Sequence, residues 1–221
     1  MKIKAVIFDF DGTLVDTCAD IALCINDMLS HFGYETKTID EVRAALCFGP
    51  VKLVYNVLPT EVSDDVDILN KCVDYYRGKY NVSENKLSNA YDGIVELLTF
   101  LKDNGIKVAI NTNKNQNQTE NIMKGVFNPS LIDMVVGFSD EHPAKPEPYG
   151  ALIIAKRFGF DPSEIVYVGD SHVDVQTAKN AGMISIGVSW GYRSREVLEA
   201  EKPDYIADNA DQLTFYISTL I

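Results

Sequence analysis

The chain of 221 residues is 46% hydrophobic and carries a formal net charge of −12. That length and composition can bury a sizeable core, as one domain with a large insertion or as two small domains. The acidic balance argues against nucleic acid and against an anionic membrane surface, since both reward clustered Lys and Arg, so a phosphate site here must be built from local charge or a metal.

The first predicted element is a strand, Ala5–Phe10 (AVIFDF), with Asp9 and Asp11 one residue apart at its far end and Gly12 and Thr13 directly after. Residues 16 to about 88 then read as helical. Ile21, Ile25, Met28, Leu29 and Phe32 mark one helix stopped at Gly33, and Thr38-Ile-Asp-Glu41 reads as a capping box opening a second. Phe48-Gly49-Pro50 interrupts the pattern; Val51, Val54 and Leu58 indicate a third helix, and Val66, Leu69, Val73 and Tyr76 a fourth. The joints of this module fall near Leu14–Thr17 and Lys86–Tyr91, giving an inserted domain of 16–89 within a core of 1–15 and 90–221.

Beyond the insertion, strands alternate with helices. Ile94, Leu97, Leu98 and Leu101 share a helical face ahead of Gly105; strands follow at Lys107–Asn111 and Met134–Gly137. A helix over Tyr149–Phe158 stops at Gly159, a strand spans Ile165–Val168, and a helix over Val173–Ala181 stops at Gly182. Strands at Ser185–Val188 and Tyr205–Ala207 complete the pattern. Short Val- and Ile-rich runs, apolar on both faces and separated by helices, predict an α/β fold with a doubly wound parallel sheet, a Rossmann-like core.

Ligands of such sheets bind beyond the carboxyl ends of the strands. Those ends carry Asp9, Asp11 and Gly12; Thr112, Asn113 and Lys114; a loop with Asp140 and Lys145 (HPAKPEP); and Asp170, Ser171 and Asp174. Asp9, Asp170 and Asp174 are hard oxygen donors of the kind Mg²⁺ prefers. Thr112 offers a hydroxyl and Lys145 a compact positive charge to a phosphoryl group, while Gly12 would let backbone N–H groups approach it. Asp9 could attack phosphorus to form an aspartyl-phosphate, and Asp11 could protonate the leaving oxygen and later take a proton from water. Plainer readings exist: turn and capping roles for Asp9 and Asp11, and helix-end decoration for Asp170 and Asp174.

D-F-D-G-T-L-V-D, T-N-K, K-P-x-P and G-D-S-x-x-D, in this order, resemble the haloacid-dehalogenase-like hydrolase superfamily across nearly the whole chain. The segment VSWGYRSREVL, residues 188–198, and the length resemble its phosphoglycolate phosphatase branch. The resemblance implies a small helical cap at the insertion. It also implies Asp9 as nucleophile, Asp11 as general acid/base and metal ligand through its carbonyl, and Thr112 and Lys145 on the phosphoryl group. Asp170 would ligate Mg²⁺ directly, and Asp174 directly or through water. Backbone amides around Phe10–Asp11 and at Asn113 would touch phosphate. Arg43, Gly49 and Lys52 are candidate specificity residues of the cap, although Arg43 and Lys52 also suit a solvated face. Asn111 departs from the pattern, which usually has an apolar residue before Thr112.

The expected function is Mg²⁺-dependent hydrolysis of a small phosphorylated metabolite, phosphoglycolate foremost. An inorganic pyrophosphatase, a nucleotidase, and a sugar-phosphate phosphatase or mutase are the neighbouring readings. A non-catalytic phospho-acceptor module shares the Asp, Thr and Lys but needs no inserted domain. No apolar run approaches a membrane-spanning length, and the opening MKIKAVIFDFDG meets aspartate too soon for an export signal. Cys18, Cys24, Cys47 and Cys72 lack C-x-x-C spacing and read as free thiols, so the expected location is cytoplasmic. Monomer and homodimer both fit.

Overall fold

The computed structural model describes residues 2–46, 49–139 and 142–221, which leaves Cys47, Phe48 and Asp140 of the sequence reading outside the described residues. The chain divides into two compact units, one formed by the chain up to Asp16 with Asn89–Ile221 and the other by Thr17–Ser88.

The larger unit contains β1 (Ala5–Phe8), β2 (Val15–Asp16) and, after the insertion, β3 (Asn89–Ala90). The insertion itself carries α1 (Cys18–His31), α2 (Ile39–Ala45), α3 (Pro50–Val57), α4 (Thr60–Ser63) and α5 (Val66–Asn81). The larger unit continues through α6 (Ile94–Asp103), β4 (Lys107–Asn115), α7 (Gln116–Val126), β5 (Met134–Phe138) and α8 (Tyr149–Phe158). It ends with β6 (Ile165–Gly169), α9 (His172–Ala181), β7 (Ile184–Val188), α10 (Arg195–Ala200), β8 (Tyr205–Ala207) and α11 (Ala210–Leu220).

Six strands form one sheet in the order β5-β4-β1-β6-β7-β8, and its pairings are parallel. The chain runs outward from β1 through β4 to β5, then returns to β6 on the other side of β1. The reversal of strand order therefore falls at β1, where a doubly wound sheet opens its crevice.

Both faces are covered. Val6 and Phe8 pack with Leu97, Leu98 and Leu101 of α6, with Ile122 and Met123 of α7, and with Leu213 and Ile217 of α11. Ala5, Ile7, Ala109 and Tyr167 face Ala151 and Ile154 of α8 and Ala178 and Ala181 of α9. Burying each Leu or Ile stabilises the fold by about 1.5–3 kcal/mol. The two-sided burial explains why these strands read as continuous apolar runs rather than alternating ones.

The structure shortens the first predicted strand. Regular pairing ends at Phe8, and two residues on, the Phe10 carbonyl accepts from the N–H groups of Leu14 and Val15, at 3.0 and 3.1 Å, turning the chain. It also moves Asp16 out of the inserted helices. Val15–Asp16 pairs antiparallel with Asn89–Ala90, a small ribbon the sequence did not announce, while Thr17 precedes α1.

The smaller unit has its own core of Ile25, Met28 and Leu29 from α1, Val54 from α3, and Cys72, Val73 and Tyr76 from α5. The capping box of α2 forms: Thr38 Oγ1 accepts from the Glu41 N–H at 3.2 Å and Glu41 Oε2 accepts from the Thr38 N–H at 2.8 Å. Asp20, buried on α1, accepts from the Leu87 N–H at 3.0 Å and from Ser88 Oγ at 2.7 Å, which ties the departing chain to the start of the insertion. Among the described residues, Cys18, Cys24 and Cys72 are buried thiols outside any disulfide. No helix among the described residues is long and apolar enough to cross a membrane.

Candidate active site

The last paired level of β1 sets Phe8 beside Ile110 of β4 and Val168 of β6. The next few residues of each strand therefore emerge together at the carboxyl edge. Asp9 keeps one further rung, its N–H donating to the Val168 carbonyl at 2.9 Å. Asp9, Asp170 and Asp174 are all buried, and their nearest carboxylate oxygens lie within 4.8 Å of one another.

Lys145 sits among them. Its Nζ lies 2.8 Å from Asp9 Oδ1 and 2.6 Å from Asp174 Oδ1. Its backbone is held by Asn113, whose Oδ1 accepts from the Lys145 N–H at 2.8 Å and whose Nδ2 donates to the Lys145 carbonyl at 3.2 Å. Asn113 thus fixes the loop that delivers Lys145. The ladder between β4 and β5 shifts register between Asn111 and Asn115. Such an irregularity takes Thr112, Asn113 and Lys114 out of the regular pleat and re-aims them. Thr112 is buried there, and its Oγ1 accepts from the Lys114 N–H at 3.2 Å.

Asp11 lies at the same edge, partly exposed, with Lys114 Nζ 3.0 Å from both of its carboxylate oxygens. The sequence placed Lys114 at the strand end, within the T-N-K motif; the structure buries it against Asp11.

Asp170 is held from two sides. Thr13 Oγ1 donates to its Oδ1 at 3.2 Å and the Tyr192 N–H to its Oδ2 at 2.7 Å. Gly12 has φ +82°, and a Cβ on it would stand 2.5 Å from Asp170 Oδ2; a Cβ on Gly191 would stand 2.2 Å from Asp170 Cβ. Both glycines are there so that Asp170 can approach. The Gly12 N–H itself donates to the Val15 carbonyl at 2.9 Å. Thr13, Gly191 and the Tyr192 backbone were not foreseen. They come together only through the loop after β7, whose Trp190 indole N–H donates to the Thr13 carbonyl at 3.1 Å.

Asp174 caps a helix and also reaches into the acidic cluster. It forms a capping box with Ser171 at the start of α9, its Oδ2 accepting from the Ser171 N–H at 3.1 Å and from Ser171 Oγ at 2.6 Å. Its other oxygen takes Lys145. The S-x-x-D spacing carried that signal.

Asn111, the departure from the family pattern, also finds a partner. Its Nδ2 donates to the Tyr167 hydroxyl oxygen at 3.1 Å, and that hydroxyl donates to the Asn111 carbonyl at 3.1 Å. Asn111 lies on β4 and Tyr167 on β6, either side of β1, so the pair links the two strands across the one that leads to Asp9. The cost of a polar residue in the core is met by this pairing.

Burial raises the Asp9 carboxyl to about 6, with the Lys145 charge opposing and the Asp174 charge adding to the shift. Burial, then Asp174 and Asp9, raise Asp170 to about 8. Burial alone would lower the Lys145 ammonium, but the Asp174 and Asp9 charges outweigh it and hold it well above the usual value. One lysine among three buried carboxylates leaves negative charge in excess. The all-oxygen donor set suits a hard divalent cation such as Mg²⁺, which would relieve that excess. Carboxylate oxygens accept more than one partner, so the existing hydrogen bonds leave capacity for it.

Arg43, Gly49 and Lys52 belong to the smaller unit. Arg43 pairs with Asp40 at 2.7 Å, Gly49 precedes α3 with φ +88°, and the exposed Lys52 lies 4.2 Å from the centre of the Tyr55 ring. Phe10 is fully buried in the core of the larger unit.

The chain is similar to known proteins over most of its length. A phosphoglycolate phosphatase of Nitrosospira multiformis is 31% identical over 91% of this chain and 90% of its own length. One of Pseudomonas syringae pv. tomato is 28% identical over 95% of this chain and 78% of its own. A solved structure from Lactobacillus delbrueckii subsp. bulgaricus, provisionally described as a phosphoglycolate phosphatase, superimposes with a TM-score of 0.90 at 27% identity, covering 98% of this chain and 99% of that one. The model of the haloacid dehalogenase-like hydrolase family matches residues 6–188, and the chain belongs to that family.

Proposed function

We propose that the chain is a Mg²⁺-dependent phosphatase acting through an aspartyl-phosphate on a small phosphorylated metabolite, with phosphoglycolate as the leading substrate. The observation that carries this reading is the buried cluster of Asp9, Asp170 and Asp174 around Lys145, with Asp11 two residues beyond Asp9 at the same edge. The names of the relatives support the choice of substrate.

In this reading Asp9, Asp170 and the Asp11 carbonyl would hold Mg²⁺, with Asp174 ligating directly or through water. The cation supplies charge neutralisation for the phosphoryl oxygens. A carboxylate oxygen of Asp9 attacks phosphorus as the bond to the ester oxygen breaks, and Asp11 gives that oxygen its proton. Asp11, now a carboxylate, takes a proton from water, whose oxygen attacks phosphorus and releases inorganic phosphate and Asp9. Lys145 and the Thr112 hydroxyl stabilise the phosphoryl oxygens. The inserted helical unit serves as the cap that excludes water and selects the leaving group, with Arg43, Gly49 and Lys52 as its candidate contacts.

Purified protein with Mg²⁺ is expected to release phosphate from an aryl phosphate. Asp9→Asn abolishes turnover, and Asp11→Asn lowers it by about 10²–10⁴-fold, the span for loss of general acid/base help. Turnover that survives in EDTA or in Asp9→Asn contradicts the mechanism.

A further inference from the structure

Among the described residues, Lys114 and Lys145 are the buried cationic side chains, and both reach the same acidic edge. Lys145 is committed to Asp9 and Asp174. Lys114 stands elsewhere in the site. Its side chain is 4% exposed, and Nζ lies 3.0 Å from both oxygens of Asp11. Desolvating an ammonium is costly unless it is well partnered. In a chain of net charge −12 this one cation is sunk beside the group assigned to the leaving oxygen.

We infer that Lys114 is a specificity-determining residue that receives a carboxylate on the leaving-group side of the substrate. The site then favours phosphate monoesters whose ester oxygen is followed, one or two carbons on, by a second anionic group. The inference rests on the phosphatase reading of Asp9 and Asp11. In that reading the leaving oxygen lies within hydrogen-bond reach of Asp11, about 2.7 Å. Lys114 Nζ is 3.0 Å from both Asp11 oxygens. The leaving oxygen and the ammonium therefore stand within about 6 Å of each other. A carboxylate one methylene beyond that oxygen spans the gap. An ammonium carries three protons and can bridge Asp11 and the substrate carboxylate together. A substrate with an uncharged group at that position forgoes a charge-assisted hydrogen bond, worth about 10–100-fold in discrimination.

The test compares kcat/KM, with Mg²⁺, for 2-phosphoglycolate, its uncharged amide and an aryl phosphate in the wild type, Lys114→Met and Lys114→Arg. The wild type should prefer the acid over the amide by about 10–100-fold. Lys114→Met should bring that ratio to within about threefold of unity, and Lys114→Arg should keep most of it. An unchanged ratio in Lys114→Met, with both substrates falling in step, overturns the inference, because Lys114 then serves Asp11 alone. A second readout needs no variant: glycolate should inhibit wild-type turnover of the aryl phosphate competitively, at concentrations about tenfold below glycolamide. Equal inhibition by the two also overturns it. Wild-type turnover of the aryl phosphate without an acid preference removes the role of Lys114 and leaves the phosphatase reading standing. Failure to turn over any ester removes both.

Discussion

At the scale of single residues, the acidic site depends on small groups that make room. Gly12 combines φ +82° with a Cβ position 2.5 Å from Asp170 Oδ2. Gly12→Ala forces an L-residue into the left-handed region, at about 1–2 kcal/mol, and also pushes Asp170 away. Chemical denaturation should show at least that loss, and calorimetric titration should show weaker Mg²⁺ binding; stability lost with metal affinity intact would contradict the placement of Asp170. Tyr167→Phe removes the hydroxyl shared by the Asn111 side chain and carbonyl, for an expected loss of about 1–3 kcal/mol in urea unfolding. Asp9, Asp11, Lys145 and Asp170 were readable in the sequence because strand ends and turn glycines are local patterns. The partners of Lys114, Thr13 and Gly191 were not. Their roles exist only as contacts between segments far apart in the chain, and no spacing rule records that Lys114 reaches Asp11 or that the loop after β7 closes over Asp170.

At the scale of elements, the sheet edge is shaped by loops that hold one another. The irregular end of β4 positions Asn113, and Asn113 fixes the backbone of Lys145 through bonds of 2.8 and 3.2 Å. Removing both bonds in Asn113→Ala loosens the lysine, and displacements of this kind cost up to about 10²-fold in rate. The expected result is a fall in kcat with a smaller change in stability; unchanged kinetics would show that Lys145 is placed by its carboxylate partners alone. In the smaller unit, Thr38→Ala breaks a formed capping box and should cost about 0.5–2 kcal/mol by thermal unfolding while leaving turnover unchanged. The helices that the sequence announced have clear apolar stripes and glycine stops, as α6, α8 and α9 do. α7 went unannounced because its sequence, QNQTENIMKGV, buries little beyond Thr119, Ile122 and Met123. α4 and the β2–β3 ribbon are too short to show a period.

At the scale of the whole molecule, the buried acids couple stability to pH and to metal. Asp9 and Asp170 titrate near 6 and 8 in the folded chain, against about 3.9 for an unfolded aspartate. Below about pH 4 both states hold these protons and the stabilising contribution is complete. As pH rises through about 6 and then 8, the native state holds protons that the unfolded state has released, so stability falls. Mg²⁺ binds the deprotonated site and should reverse this, raising Tm far more at pH 8 than at pH 5 and adding about 2.7 kcal/mol at one hundred times its Kd. A Tm gain independent of pH would place the cation elsewhere. The central claim is the covalent step at Asp9, and the most direct measurement is a rapid acid quench during a single turnover of ³²P-labelled substrate with Mg²⁺. The account predicts a transient phosphoprotein, labile to hydroxylamine, with the label in the peptide that contains Asp9. Phosphate release without such a species, or with the label in a peptide lacking Asp9, would contradict it.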